Sequence, residues 1–465
     1  MEGNSTKETN ILLAIMLFFF SLWLFLKGIW GLEAYRKESL VVLSLTAPIG
    51  ALLIISPYLK QKAPLLKIRA LNPHWLFLLF LLSLIIIEVV YIVNNQQVIA
   101  DESRLLEAVQ LYIKNGRTYF FTHYTEIFWL GRQHPPLPVL CIAYLANLLG
   151  GNVLFIGRAI ASILGLATAY CTFLIAKQLY NRRTAYVSVA LLFGILHFFI
   201  FNMVSSNDIF VTFFFTLAVL LLLKLNTQNS KLARQNVLWA IAAGISVSLG
   251  MLSKYTMALA YLALPVLLLW PFTNRFPIAP PLPGIRKSIR SGMPLFLITI
   301  LFSAPLTAAW FWYLFQSGII QEQINTVSYY VGTELEISSD AIQVTKNNYL
   351  NSWRINFIIH AILRDIPRAI GVYNLPLIGL GIWCWISPKK NGTSIWSNRF
   401  IAYWLAIIFI PILITLPVDR YFMPAYPALA ILMANGLNTF YEQPLRIILL
   451  VILFSISSPI IYFFS

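Results

Sequence analysis

Charge is scarce in this sequence. Only 11% of its 465 residues are Asp, Glu, Lys or Arg, where a soluble domain carries about 25%. With 59% hydrophobic residues and a mean hydropathy of +0.76, that deficit excludes an ordinary soluble globular chain. Cysteine is scarcer still. Cys141, Cys171 and Cys384 stand alone in apolar sequence, so neither a disulfide framework nor a CxxC-type zinc site is expected, and small buried hydrophobes are. Acids number 17 against 33 bases. The net charge of +16 belongs to topology rather than to nucleic acid, because polytopic membrane proteins keep Lys and Arg in their cytoplasmic loops. No His, Cys and carboxylate cluster at ligand spacing is visible. No obligatory cofactor or metal is therefore expected, while a divalent ion at the carboxylates stays compatible with the pattern.

What is abundant is long apolar sequence. A span needs about 20 apolar residues, and stretches such as "ILLAIMLFFFSLWLFLKGIWG" recur along the whole chain. About thirteen spans are expected, at 11–31, 40–58, 73–93, 153–177, 184–204, 209–225, 237–252, 256–272, 293–313, 369–386, 400–417, 421–439 and 445–464. No small-residue cleavage site follows the first, which reads as a retained helix. "HPPLPVLCIAYLANLLGG" is short and proline-led, and reads as an interfacial or re-entrant helix.

Basic residues orient these spans. With the N-terminus cytoplasmic, the inner loops hold Lys60, Lys62, Lys67 and Arg69, then Lys177, Arg182 and Arg183, and so on to Arg446. Against them stand three inner acids, Glu2, Glu8 and Glu442. This positive-inside bias predicts a multi-pass cell-membrane protein with two long outer segments, at about 94–152 and 314–368. An enzyme working at the membrane face needs such segments to build a site.

The charges that remain near span boundaries collect on that outer face. In "NNQQVIADESRLLEAVQ", Leu105, Leu106, Val109, Tyr112 and Ile113 repeat at helical spacing, which predicts a helix lying along the outer surface. Asp101 then reads most simply as its N-cap and Glu102 as a complement to its dipole. Asp208 in "SSNDIFVTF", Lys254 in "GMLSKYTMALA" and Arg420 in "PVDRYFMPAYPALA" stand at other outer boundaries, as do His134 in "RQHPPLP" and Arg158. Each alone has an ordinary structural reading. Together they suit a reaction on an anionic, lipid-anchored substrate, with cations holding a phosphate and a carboxylate accepting a proton from an attacking hydroxyl. Glu88 and His197 lie within spans and are left outside the site.

Further along, the ordered series "ADESRLLEAVQLYIKNG", "HPPLPVLCIAYLANLLGG", "SSNDIFVTFFFTLAVLLLL", "GISVSLGMLSKYTMALA" and "DRYFMPAYPALAIL" resembles the family 39 glycosyltransferases of the GT-C superfamily over about residues 85–440. That family includes protein O-mannosyltransferases and aminoarabinose transferases. The resemblance implies an all-α polytopic GT-C fold with outer-face juxtamembrane helices. It implies transfer of a sugar from a polyprenyl-phosphate donor to a lipid, glycan or protein acceptor, with inversion. By motif, Asp101 matches the catalytic base, Glu102 its partner and Asp208 the second acidic motif. Arg104, Lys254, Arg420 and Tyr421 match positions near the donor phosphate, and His134 stands where some relatives carry lysine. Residues 73–440 would form the catalytic module, preceded by two extra spans in 1–72 and followed by one in 441–465. Two other readings remain open on the residues alone: a lipid or sugar transporter, and a noncatalytic assembly partner.

Overall fold

A computed structural model of the chain describes residues 73–98, 100–124, 126–127, 134–225, 234–262, 282–320, 358–371, 374–386, 395–415 and 418–440. The spans expected at 11–31, 40–58 and 445–464, and most of the outer segment 314–368, lie outside them. Every regular element among the described residues is helical. Hydrocarbon requires this, because backbone N–H and C=O groups find no water there and must pair within their own segment.

In chain order the helices are α1 (Pro73–Asn94), α2 (Ala100–Thr122), α3 (Leu137–Leu149), α4 (Val153–Leu179), α5 (Arg182–Gly194), α6 (Leu196–Asn202), α7 (Asn207–Leu225) and α8 (Arg234–Met251). They continue with α9 (Leu282–Gln316), α10 (Ile366–Ile370), α11 (Leu375–Ile386), α12 (Ile395–Thr415) and α13 (Tyr426–Phe440). Short 3-10 turns, Tyr255–Ala258 and Asp419–Ala425, follow α8 and precede α13. Among the described residues α4, α7, α9 and α12 are long and apolar enough to cross a membrane, and α5 with α6 reach that length and apolarity only when taken together across a bend. Large side chains such as Ile86, Val90, Leu301, Trp312, Ile410 and Ile414 are exposed, as a lipid-facing exterior requires.

The expected span 184–204 is broken. Ile195 is extended (φ −77°, ψ 115°) and α5 and α6 meet at 77°. Asn374 Nδ2 donates to the Gly194 carbonyl at 3.0 Å, meeting the acceptor that the break leaves open. Beyond the break, α6 and the turn after it lie against a small-residue face of α4. A Cβ on Gly165 would overlap Asn202 Oδ1, and one on Gly157 would overlap Ser205 Oγ. These two gaps admit the 202–206 turn and so fix where α7 begins.

α2 is amphipathic as expected: Leu105, Leu106 and Val109 are buried while Glu107, Gln110 and Lys114 are exposed. It packs with α3 over a second core containing Phe120, Tyr124, Ile142 and Trp310. Asp101 is not the cap. The helix begins at Ala100, so Asp101 and Glu102 occupy its first turn. Gly116 (φ 81°) bends the helix before its last residues.

Candidate active site

Antiparallel neighbours bring charges from distant sequence to one end of the bundle. α7 and α8 pack side by side, with Ser246 Oγ donating to Phe214 O at 2.8 Å. Asp208, in the first turn of α7, and Lys254, just past the end of α8, therefore meet. Lys254 Nζ lies 2.5 Å from Asp208 Oδ1, both side chains almost fully buried. The turn before α13 packs against α7 and supplies Arg420, whose Nη1 pairs with Asp101 Oδ2. Arg420 Nε approaches Asp208 Oδ2 at 3.9 Å. Tyr421 lies beneath both cations, with its ring centre 4.0 Å from Lys254 Nζ and 5.8 Å from Arg420 Cζ.

The result is an alternating row, Asp101–Arg420–Asp208–Lys254, drawn from four elements. Within it Arg420 Nε is buried and makes no hydrogen bond among the described residues. Neither do Ser206 Oγ or the Asn207 amide, immediately before Asp208. Buried polar groups are ordinarily paired, so a row flanked by unpaired donors and acceptors is what a polar ligand would complete. Ser206 and Asn207 were not singled out in the sequence; the "SSND" run was its only signal.

Glu102 has different neighbours. Arg158 grips it through Nε–Oε1 at 2.9 Å and Nη2–Oε2 at 2.7 Å, with both side chains fully buried. The same guanidinium donates to the carbonyls of Asn95 and Gln97, and Ser205 N donates to Glu102 Oε1 at 3.0 Å. The pair thus ties the loop after α1, the start of α2, α4 and the turn before α7 together. Asp101 and Asp208 sit one and three residues from its anchor points. Glu102 is therefore held by Arg158 and Ser205 N and makes no ion pair with the row among the described residues. Arg158, weighed in the sequence as structural, is so placed.

His134 is buried beside this row. The Tyr124 hydroxyl donates to its carbonyl, and Leu137 N donates to Leu252 O at 2.9 Å, which fastens the segment to the Lys254 turn. Burial, with Lys254 nearby, holds its imidazole well below the ordinary histidine range, so it stays neutral. Arg104 stands apart, exposed on α2 and outside the row. Glu88 accepts hydrogen bonds from Ser162 and Asn202 between α1, α4 and α6. His197 lies 3.7 Å from Asp419. Among the described residues no three His, Cys, Asp or Glu side chains converge as a metal site.

The sequence profile of the dolichyl-phosphate-mannose-protein mannosyltransferases matches residues 133–285. That stretch contains His134, Arg158, Asp208 and Lys254, and leaves out Asp101 and Arg420. No curated protein sequence matches the chain. The fold is similar to ArnT from Cupriavidus metallidurans bound to undecaprenyl phosphate, with a TM-score of 0.52 at 16% identity over 79% of this chain. The apo form of that protein gives 0.52 at 15% over 78%. This chain spans 61% of the length of the first and 59% of the second. The Archaeoglobus fulgidus oligosaccharyltransferase tethered to an acceptor peptide gives 0.49 at 13% identity, covering 79% of this chain and 49% of that one. The profile covers about a third of the chain, and the likeness to ArnT is one of fold.

Proposed function

We propose, from that architecture and the charge row at its end, that this chain is a membrane glycosyltransferase that takes its sugar from a polyprenyl-phosphate carrier. The observation that carries the reading is the Asp101–Arg420–Asp208–Lys254 row, buried at Asp208 and Lys254 and half-buried at Asp101 and Arg420, with an Arg420 Nε–H that makes no hydrogen bond among the described residues. The match to a family of dolichyl-phosphate-mannose users supports it, as does a similar fold holding undecaprenyl phosphate. The positive-inside bias of the loops puts this end on the non-cytoplasmic face, with the N-terminus cytoplasmic.

Without ligand, two carboxylates neutralise two cations. An entering sugar phosphate competes for Arg420 and Lys254, and Arg420 turning to it releases Asp101. The acceptor oxygen attacks the anomeric carbon opposite the phosphate and inverts it. The carbon–oxygen bond to phosphate breaks, and its electron pair goes to the phosphate oxygen. The acceptor proton goes to Asp101. Lys254 and Arg420 stabilise the second negative charge that develops on the leaving phosphate. Asp208 holds Lys254 in reach.

A transporter reading has one observation in its favour, the Glu88–Ser162–Asn202 cluster within the helices. It gives no reason for the charge row. Binding of polyprenyl phosphate to detergent-purified full chain separates the steps. Arg420→Gln and Lys254→Gln should each weaken it about ten-fold, the loss of one charge-assisted hydrogen bond. Asp101→Asn should bind at least as well as wild type, because it removes the carboxylate that competes for Arg420. Unchanged binding in both cation variants would contradict the reading.

A further inference from the structure

The sequence leaves His197 outside the site as a residue within a span, and the break in that span changes its place. α5 and α6 meet at 77°, so His197, the second residue of α6, leaves the line of α5. Its Nε2 comes to 3.7 Å from Asp419 Oδ2, in the turn before α13. Its Nδ1 is buried and makes no hydrogen bond among the described residues. Buried polar atoms are ordinarily paired. An imidazole with one nitrogen unpaired and the other facing a carboxylate is not explained by its packing on Phe201 alone.

Asp419 connects this imidazole to the charge row. Its Oδ1 accepts from Arg420 N at 2.8 Å, and it lies within electrostatic reach of Asp208. A separation of 3.7 Å is too long for a hydrogen bond but close enough for an ion pair once the imidazole carries a proton. The row itself is balanced, two carboxylates against two cations. Asp419 adds a negative charge next to Arg420, where it opposes an entering anion.

α4, α5, α7, α10 and the turn before α13 all pack against α6. The turn brings Asp419, Arg420 and Tyr421, α10 brings Arg368, and α7 brings Asp208. Of these, Asp419 and Arg368 act on His197. On α4, Arg158 is occupied by Glu102, and Glu88 of α1 reaches α6 through Asn202. Lys177, Arg182, Arg183 and Lys224 lie at the opposite helix ends.

We propose that His197, acting through Asp419, is a positioning residue for the Arg420 contact to the donor phosphate, and that a proton on its imidazole strengthens that contact. The proposal rests on the reading of the row as the donor-phosphate site. Protonated His197 pairs with Asp419, offsets the charge that opposes the phosphate, and steadies the turn from which Arg420 reaches. Proton and phosphate then favour each other's binding, so affinity rises as pH falls through the titration of His197.

The test measures binding of farnesyl methyl phosphate, a diester that stays a monoanion throughout, to the full chain in zwitterionic nanodiscs at about pH 8 and about pH 5. Wild type should bind it about five-fold more tightly at the lower pH. His197→Gln stays polar but takes up no proton, and should bind about equally at both. Asp419→Asn keeps an oxygen for Arg420 N and removes the opposing charge, so it should bind tightly at both. His134 is present in every chain, so differences between them report the His197–Asp419 pair. Wild-type affinity indifferent to pH would overturn the assignment. So would the same gain retained in both variants, or a uniform loss in His197→Gln with its pH dependence intact. Failure of wild type to bind at either pH would sink the donor-phosphate reading and this role with it.

Discussion

At the scale of single residues, Asp101, Asp208, Lys254 and Arg420 were legible because an apolar chain that avoids charge marks the few it keeps, while Tyr421 was reached only through the family resemblance. Their pairing was not legible, since Lys254 and Asp208 come together only when α7 and α8 pack. Glu102 is the instructive case. Beside Asp101 it reads as a catalytic partner, yet 56 residues separate it from the arginine that holds it. Glu102→Gln or Arg158→Gln leaves one buried charge alone and should cost about 3–5 kcal/mol. Removing both with Glu102→Gln/Arg158→Met should recover part of that loss. Apparent melting temperatures in detergent decide it, and additive losses would contradict the coupling.

His134 makes a second prediction at this scale. Unfolded, it takes a proton near its ordinary value of 6.5, but folded it does so only well below that. Between the two values the unfolded chain binds more protons, so acidification favours unfolding there. From about pH 7.5 to about pH 5.5 wild type should lose more stability than His134→Gln. Equal losses would show that the imidazole is not held neutral.

At the scale of elements, the surface helix α2 and the short helix α3 were readable from apolar spacing and from the prolines before α3. The break at Ile195 was not, because "FGILHFF" carries no proline or turn signal and the Asn374 side chain that meets the freed Gly194 carbonyl comes from far along the chain. Close helix approach was equally hidden. α11 and α13 cross at a pair of glycines, where a Cβ on Gly436 would sit 2.7 Å from Gly381 N and one on Gly381 2.7 Å from Leu432 O. Gly436→Ala must push the helices apart and should cost about 1–3 kcal/mol. Unchanged melting of the Ala variant would mean that the crossing is looser than described.

For the whole molecule, the all-helical membrane architecture followed from composition alone, and the clustering of boundary charges at one end followed from counting spans. Which helices pack together did not, because every span is apolar all round and offers no unique face. Sidedness belongs to this scale. In a chain with its three cysteines replaced, Ser103→Cys lies at the charge-row end and Lys177→Cys in the last turn of α4, at the other. A membrane-impermeant maleimide should label the first in intact cells and the second only after permeabilisation. The reverse pattern would turn the proposed site to the cytoplasm.

The central claim, that the charge row performs sugar transfer from a lipid phosphate, is met most directly by turnover. Purified chain in liposomes would be given a panel of radiolabelled polyprenyl-phosphate sugars with acceptor extract, and released polyprenyl phosphate measured for wild type and Asp101→Asn. Release that falls about 10²–10⁴-fold in the variant is the expected result for a lost general base. No release from any donor, or release indifferent to Asp101, would contradict it.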